Sequence, residues 1–271
     1  MADSATEAPK KATTKKRPRI HMLDELRGFA IFCMVFYHAF YTIGIFFGIK
    51  WGEWLLNFFT PAEPYFAGLF IFISGISSNL SHSNLERGVK LAGIALGVTL
   101  VTYLALGQNN MIVFGVLHML AAGMILFGLF GKYLKIIPTW LGIILSLLIF
   151  IFSFNIATKH TVGIPFLFDL RVPAQWYTTK FLFMFGLPYS GFQSSDYFPI
   201  IPWIFIFFAG TFFGRLAREK KFPKFMYKKH IGFFAFLGRH SLIIYLAHQP
   251  VIFGIFYSIQ WAISFLPNLA H

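Results

Sequence analysis

The chain has 271 residues, of which 57% are hydrophobic and 12% are charged. Soluble domains carry roughly 45–50% apolar and about 25% charged residues, so this composition excludes a protein surrounded by water. The formal net charge is +13, but the basic residues lie in short runs between apolar stretches. Because they form no continuous basic face, we expect no nucleic acid partner, and we expect the lipid bilayer to surround the protein.

The first 19 residues differ from the remainder of the chain. They are polar and basic, so we predict a disordered cytoplasmic tail over 1–19, followed by one transmembrane domain over 20–271. A spanning helix needs about 20 mostly apolar residues. Seven stretches reach or approach that length: 28–48, 64–80, 89–107, 111–130, 137–157, 198–214 and 234–258.

These stretches predict an all-α fold, a polytopic transmembrane bundle of about seven helices. The segment 178–192 is also apolar, but it is short and contains Gly186 and Pro188. We predict a re-entrant or interfacial piece there, with an eighth span as the alternative. The single cysteine, Cys33, allows neither an intramolecular disulfide nor a cysteine-based metal site, and we predict no bound metal.

The distribution of lysine and arginine predicts the orientation of the bundle. A cytoplasmic N-terminus leaves few basic residues outside, and they are Lys50, Lys159, Arg171 and Lys180. This asymmetry follows the positive-inside rule. The connection over 158–197 then lies outside, and it is the expected recognition surface. Its polar and aromatic residues include Asp169, Arg171, Gln175, Trp176, Tyr177 and Asp196.

The first span carries an arginine and a histidine on one helical face. Arg27 and His38 are eleven residues apart, which on an α-helix is about 1100° of rotation and about 16 Å of rise. If Arg27 lies at the cytoplasmic interface, His38 lies near the middle of the bilayer, where a neutral imidazole can act as a general base. A structural histidine and an interfacial arginine are the alternative. Asp24, just before the apolar run, is predicted to cap the helix.

Further polar residues lie in the later spans. Ser74 and Gly75 are small enough to allow close helix packing, and Asp196 can cap the helix that begins near Pro199. His118 lies in the fourth span. The last span has Arg239, His240 and Ser241 at its start. His248 and Gln249 lie two to three turns deeper in the same span.

In this order the motifs resemble those of the heparan-α-glucosaminide N-acetyltransferase catalytic-domain-like family, within the transmembrane acyltransferase superfamily related to acyltransferase-3. The resemblance extends from Arg19 to about Phe256. The matching motifs are Leu23-Asp24 and Leu26-Arg27-Gly28 with His38, Phe70-Ile71-Phe72-Ile73-Ser74-Gly75, Asp196-Tyr197-Phe198-Pro199 with Pro202-Trp203, and Leu237-Gly238-Arg239-His240-Ser241 with Tyr245 and His248-Gln249-Pro250.

The resemblance implies that acetyl-CoA, or another acyl-CoA, enters from the cytoplasm and that an acetyl group passes to an extracytoplasmic carbohydrate. It implies acyl-CoA binding by Arg27, Arg239, Ser74 and Gly75, and catalysis by His38. The polar network that supports them would comprise Asp24, His118, Asp196, His240, Ser241, His248 and Gln249. The implied location is the cell membrane, specifically a bacterial inner membrane, and a homodimer is compatible with the sequence.

The sequence departs from the family in one place. The namesake lysosomal enzyme has its proposed active histidine between the first two spans, but here the connection over 49–63 has no histidine, and its acidic residues are Glu53 and Glu63. We therefore expect His38 to activate the acceptor, as the first-helix histidine of acyltransferase-3 proteins suggests. A small-molecule or proton-coupled transporter is the alternative, because histidines within a membrane also relay protons.

Overall fold

The computed structural model describes residues 18–265, and this part of the chain is a bundle of nine α-helices with one small hairpin. The helices are α1 (His21–Tyr41), α2 (Lys50–Phe59), α3 (Glu63–Leu80), α4 (Asn84–Leu106), α5 (Val116–Leu134), α6 (Thr139–Ser153), α7 (Ile200–Arg218), α8 (Gly232–Arg239) and α9 (Ser241–Phe265). The antiparallel strands β1 (Thr161–Ile164) and β2 (Phe168–Arg171) form the hairpin. The predicted disordered tail lies outside the described residues, apart from Pro18 and Arg19.

Six helical segments of the described chain are long and apolar enough to cross a membrane. They are His21–Phe46, Lys50–Leu80, Asn84–Leu106, Val116–Leu134, Ile200–Arg218 and Ser241–Ser264. The helix α6 is also apolar, but it has only 15 residues. The predicted polytopic helical bundle of about seven spans is therefore confirmed.

Two predicted element boundaries are wrong. The connection predicted over 49–63 is mostly helical, because α2 continues through a 3₁₀ turn at Thr60–Ala62 into α3. The span predicted over 234–258 is two helices, since the backbone leaves helical geometry at His240. The helix α8 packs closely on α1, and α9 begins after the break.

The segment 178–192 contains no spanning helix. A 3₁₀ helix covers Leu182–Phe185 and ends at Gly186, whose φ of 89° is a left-handed conformation that favours glycine. This arrangement agrees with a re-entrant or interfacial piece rather than an eighth span. The hairpin β1–β2 precedes this segment and was not predicted.

Close packing of α1, α3, α5 and α7 forms the core. Ile31, Ile71, Met119 and Phe207 come from these four helices in turn, and all four side chains are fully buried. The helices α3 and α7 approach closely at Gly75, where a Cβ atom would lie 2.1 Å from the carbonyl oxygen of Phe207. Small residues permit such backbone contact between spanning helices. The core therefore fixes α1 relative to the neighbours that complete the site.

Candidate functional site

A basic pocket of about 380 Å³ lies at the end of the bundle where α1 begins, and we call it the tail-side pocket. Residues of α1, α3, α4 and α7 contribute to its wall. Its charged lining residues are Arg19, Asp24, Arg27, Arg87, Arg218 and Lys220. Five cations therefore face one carboxylate, so the pocket has a net positive charge that favours an anionic ligand.

Arg27 is held in the tail-side pocket by two polar contacts. Its guanidinium donates a hydrogen bond of 2.5 Å to the hydroxyl of Ser77 on α3. It also lies 3.6 Å from the carboxylate of Asp24, which pairs with Arg19 at 2.7 Å. Asp24 makes no capping hydrogen bond at the start of α1, so its predicted role as a cap is wrong. The carboxylate instead orients two arginines.

The remaining cations of the tail-side pocket are available to a ligand. Among residues 18–265, no salt bridge involves Arg87, Arg218 or Lys220. All three are exposed at the surface of the pocket. Arginine and lysine side chains in such a position suit phosphate groups, and arginine can bind them with two parallel hydrogen bonds.

His38, farther along α1, lines two neighbouring cavities. The first, of about 330 Å³, we call the central cavity, and it is bounded by α1, α4 and α9. The second, of about 200 Å³, we call the side cavity, and it reaches Glu63 at the start of α3. Asp196 and Ser195 line both cavities as well. The imidazole of His38 is therefore accessible from two sides within the bundle.

His248 of α9 faces His38, with 5.0 Å between the ring centroids. Its Nδ1 atom lies 2.5 Å from the carbonyl oxygen of Tyr245. A carbonyl oxygen can only accept, so Nδ1 carries the hydrogen and Nε2 of the neutral ring is an acceptor. This Nε2 atom is buried and has no hydrogen-bond partner within residues 18–265. A buried polar atom without a partner is costly and calls for an explanation such as a bound ligand.

The carboxylate of Asp196, in the connection before α7, links α5 to α9 beside the cavity that His38 and His248 line. Its carboxylate accepts a hydrogen bond of 2.9 Å from the hydroxyl of Tyr245 on α9. It also accepts one of 3.3 Å from the backbone N–H of Val116, the first residue of α5. The helix that Asp196 caps is therefore α5, and the predicted cap at the start of α7 is wrong. Burial raises the pKa of Asp196 above its ordinary value, and these two donors oppose that shift.

The segment after His38 strengthens the contact between α1 and α9. A π-helical turn over Thr42–Phe46 follows α1, and π-helical turns are frequent at functional sites. The hydroxyl of Thr42 lies 3.4 Å from the side-chain carbonyl oxygen of Gln249. Pro250 has no N–H, so the carbonyl of Leu246 loses its helical donor and can accept a hydrogen bond from a ligand.

His118 has a structural explanation that sets it apart from the other two histidines. Its Nδ1 atom accepts from the backbone N–H of Gly115, so Nε2 carries the hydrogen and donates to the hydroxyl of Thr99. Thr99 in turn donates to the carbonyl of Ile112. Both ring nitrogens are used, and His118 tethers the start of α5 to α4.

A polar pocket of about 490 Å³ adjoins the two cavities at the end of the bundle opposite the tail-side pocket, and we call it the outer pocket. It shares Ser195 with both cavities. Amide, hydroxyl and aromatic side chains line it: Tyr41, Asn109, Asn110, Phe192, Gln193, Ser194, Ser195 and Tyr197. The outer pocket thus offers neutral hydrogen-bonding groups and aromatic rings next to His38.

The structure brings together some of the predicted site residues and separates others. His38, Asp196, His248 and Gln249 all line the central cavity. Ser74 instead donates to the carbonyl of Phe70, and Gly75 packs against α7, so neither lines the tail-side pocket. Arg239 and His240 are exposed near the break between α8 and α9, with Ser241 as the first residue of α9. None of these three lines the tail-side pocket.

The sequence analysis named two residues of the site, Tyr245 and Glu63, without assigning them a role there. Tyr245 lies three residues before His248 and therefore shares its face of α9, and this spacing was the available signal. Glu63 was assigned to a connecting loop, whereas it begins α3 and lines the side cavity with His38. A carboxylate at the start of a spanning helix is a functional candidate in its own right.

A family model described as the catalytic part of heparan-alpha-glucosaminide N-acetyltransferase matches residues 19–250. The chain belongs to this family. The predicted membership is thereby confirmed, and it places the protein among membrane acetyltransferases. Comparison with curated proteins and with solved structures gave no match. The match includes Arg27, His38 and His248, so the family assignment covers nearly all of the candidate site, except Pro18 and Phe253.

Proposed function

We propose that the protein transfers an acetyl group from acetyl-CoA, bound at the tail side, to a hydroxyl or amine of a carbohydrate that enters through the outer pocket. The observation that carries this proposal is the position of His38, which lines two cavities and lies next to His248, whose buried Nε2 has no hydrogen-bond partner within residues 18–265. The positive-inside distribution of lysine and arginine supports a cytoplasmic location for the tail-side pocket. Family membership supports the acetyl group as the group transferred.

The tail-side pocket is the proposed site for the phosphates of CoA. Arg27 is already oriented by Asp24 and Ser77, so little side-chain freedom is lost when it binds a phosphate. Arg87 and Arg218 add charge at the rim. The rise from Arg27 to His38 along α1 is about 16 Å. The pantetheine arm would cover that distance and bring the thioester towards His38.

The outer pocket is the proposed entry for the acceptor. Its asparagine, glutamine and serine side chains can both donate and accept hydrogen bonds, as the hydroxyl groups of a neutral sugar require. The rings of Tyr41, Phe192 and Tyr197 offer apolar surface to the sugar faces. A reacting hydroxyl would pass Ser195 to reach His38 in the adjoining cavities.

The proposed transfer step uses His38 as a general base. An imidazole nitrogen of His38 takes the proton of the acceptor hydroxyl or amine while the acceptor atom forms a bond to the thioester carbonyl carbon. The carbon–sulfur bond then breaks, and the proton passes to the departing thiolate to give CoA. His248, whose Nε2 can accept, would take a hydrogen bond from a second hydroxyl of the acceptor and so orient the sugar during the attack. The hydrogen bond from its Nδ1 to the carbonyl oxygen of Tyr245 orients that ring, and the hydroxyl of Tyr245 is in turn held by Asp196.

The test uses purified protein in liposomes with radiolabelled acetyl-CoA and a carbohydrate extract from host cells that lack the protein. The proposal predicts that acetyl transfer to carbohydrate is lost in His38→Ala and retained in His82→Ala, a control at an exposed histidine. Full activity in His38→Ala would remove this residue from the mechanism. Solute flux that needs no acetyl-CoA would favour the transporter instead.

A further inference from the structure

The central cavity has an apolar wall, and neither an acetyl group nor a soluble sugar accounts for so much apolar surface. Its lining is mostly apolar, and the apolar residues come chiefly from α4 and α9, among them Ile94, Val98, Val101, Leu246 and Phe253. A cavity of about 330 Å³ is of the size that holds small organic ligands. An acetyl group has two carbon atoms and would leave most of this volume unfilled.

The two helices that form this wall lie at the periphery of the bundle. The helix α4 packs principally on α5, and α9 packs on α1. Exposed apolar side chains on both helices, such as Leu100 and Val251, show that the outer faces suit lipid. The cavity therefore lies where hydrocarbon of the bilayer is adjacent to the site.

The same cavity is polar at one end. His38, Asp196 and His248 lie there together with Gln249, and Ser195 connects this end to the outer pocket. A ligand that fits both ends must be amphipathic, with a hydrocarbon chain and a hydrogen-bonding headgroup. Because the polar end contains the proposed base, the headgroup is the part that reacts.

We propose that the acceptor is a lipid-linked carbohydrate, whose hydrocarbon chain lies in the central cavity between α4 and α9 while its sugar occupies the outer pocket. This inference rests on the proposed function and specifies the substrate class. A lipid acceptor remains in the membrane, so it can reach the cavity sideways through the bilayer. The acyl donor needs no access from the bilayer, because its thioester arrives from the tail-side pocket.

Two glycines of α4 provide a matched pair of variants. Gly97 lines the central cavity, whereas Gly93, one helical turn earlier, does not. At both positions a Cβ atom would meet nothing within 4 Å. A phenylalanine at position 97 would therefore fill the cavity, and one at position 93 would lie one turn nearer the start of α4, outside the cavity lining. Gly97→Leu replaces Gly97→Phe if the larger side chain prevents folding, as judged by thermal unfolding in detergent.

The experiment supplies radiolabelled acetyl-CoA to proteoliposomes with a membrane extract from host cells that lack the protein, and then separates the organic and aqueous phases. We expect the label in the organic phase, with a loss of at least tenfold in Gly97→Phe and none in Gly93→Phe. Label confined to water-soluble carbohydrate would overturn the inference while leaving the proposed function intact.

Three further outcomes would also overturn the inference. Equal organic-phase labelling by Gly97→Phe and Gly93→Phe would show that the chain does not occupy the cavity. A loss in Gly97→Phe that appears only with long-chain acyl-CoA donors would assign the cavity to the donor. If no acceptor of either phase is labelled, the proposed function fails, and the inference fails with it.

Discussion

Tyr245→Phe removes one hydroxyl from the network behind the two histidines and creates no cavity. That hydroxyl donates at 2.9 Å to the carboxylate of Asp196, and both side chains are buried, with 6% and 8% of their surface exposed. A hydrogen bond to a charged group contributes about 1.5–3 kcal/mol net. We therefore expect Tyr245→Phe to lower the free energy of unfolding by about 1.5–3 kcal/mol.

The assay is reversible unfolding in mixed micelles, followed by tryptophan fluorescence. Tyr257→Phe is the control on the same helix, because Tyr257 is exposed and its replacement should change stability by less than about 0.5 kcal/mol. Asp196→Ala, alone and combined with Tyr245→Phe, completes a double-mutant cycle with an expected coupling of about 0.5–3 kcal/mol. Strict additivity, or equal effects of the two tyrosine variants, would refute the proposed network.

Two other changes test the donor site and the packing. Arg27→Ala should raise the KM for acetyl-CoA about tenfold to hundredfold, because one charged hydrogen bond is lost. Arg171→Ala, on the exposed strand β2, should leave the KM unchanged. Equal KM values for the two variants would exclude Arg27 from donor binding. Gly75→Leu should prevent stable folding, because its Cβ would contact the backbone of α7, whereas Gly254→Leu meets open space and should be tolerated. Equal yields of folded protein from the two glycine variants would contradict the packing.

The membrane fold and the first helix could be predicted from the sequence because they depend on local periodicity. The apolar length of each span and the helical spacing of Arg27 and His38 are properties of short segments. The structure accordingly has Arg27 in the tail-side pocket and His38 in the central cavity. The break at His240 was not predictable in this way, since it depends on how α8 packs against α1.

The partners of the titratable groups could not be predicted because they join segments that are distant in the sequence. Asp196 precedes α7 in the chain, yet it binds the first residue of α5 and Tyr245 of α9. Glu63 lies near His38 only because α2 and α3 fold back along α1. These contacts depend on the tertiary arrangement, which a single sequence does not encode in any local pattern.

The most direct measurement of the central claim is acetyl transfer by His38→Gln, an uncharged variant of similar size that cannot act as a base at neutral pH. Binding of acetyl-CoA is measured in parallel, so that loss of the donor is distinguished from loss of chemistry. The account predicts unchanged donor binding and a rate reduced about 10²–10⁴-fold, the typical contribution of general base catalysis. A rate within twofold of the unmodified protein would contradict it.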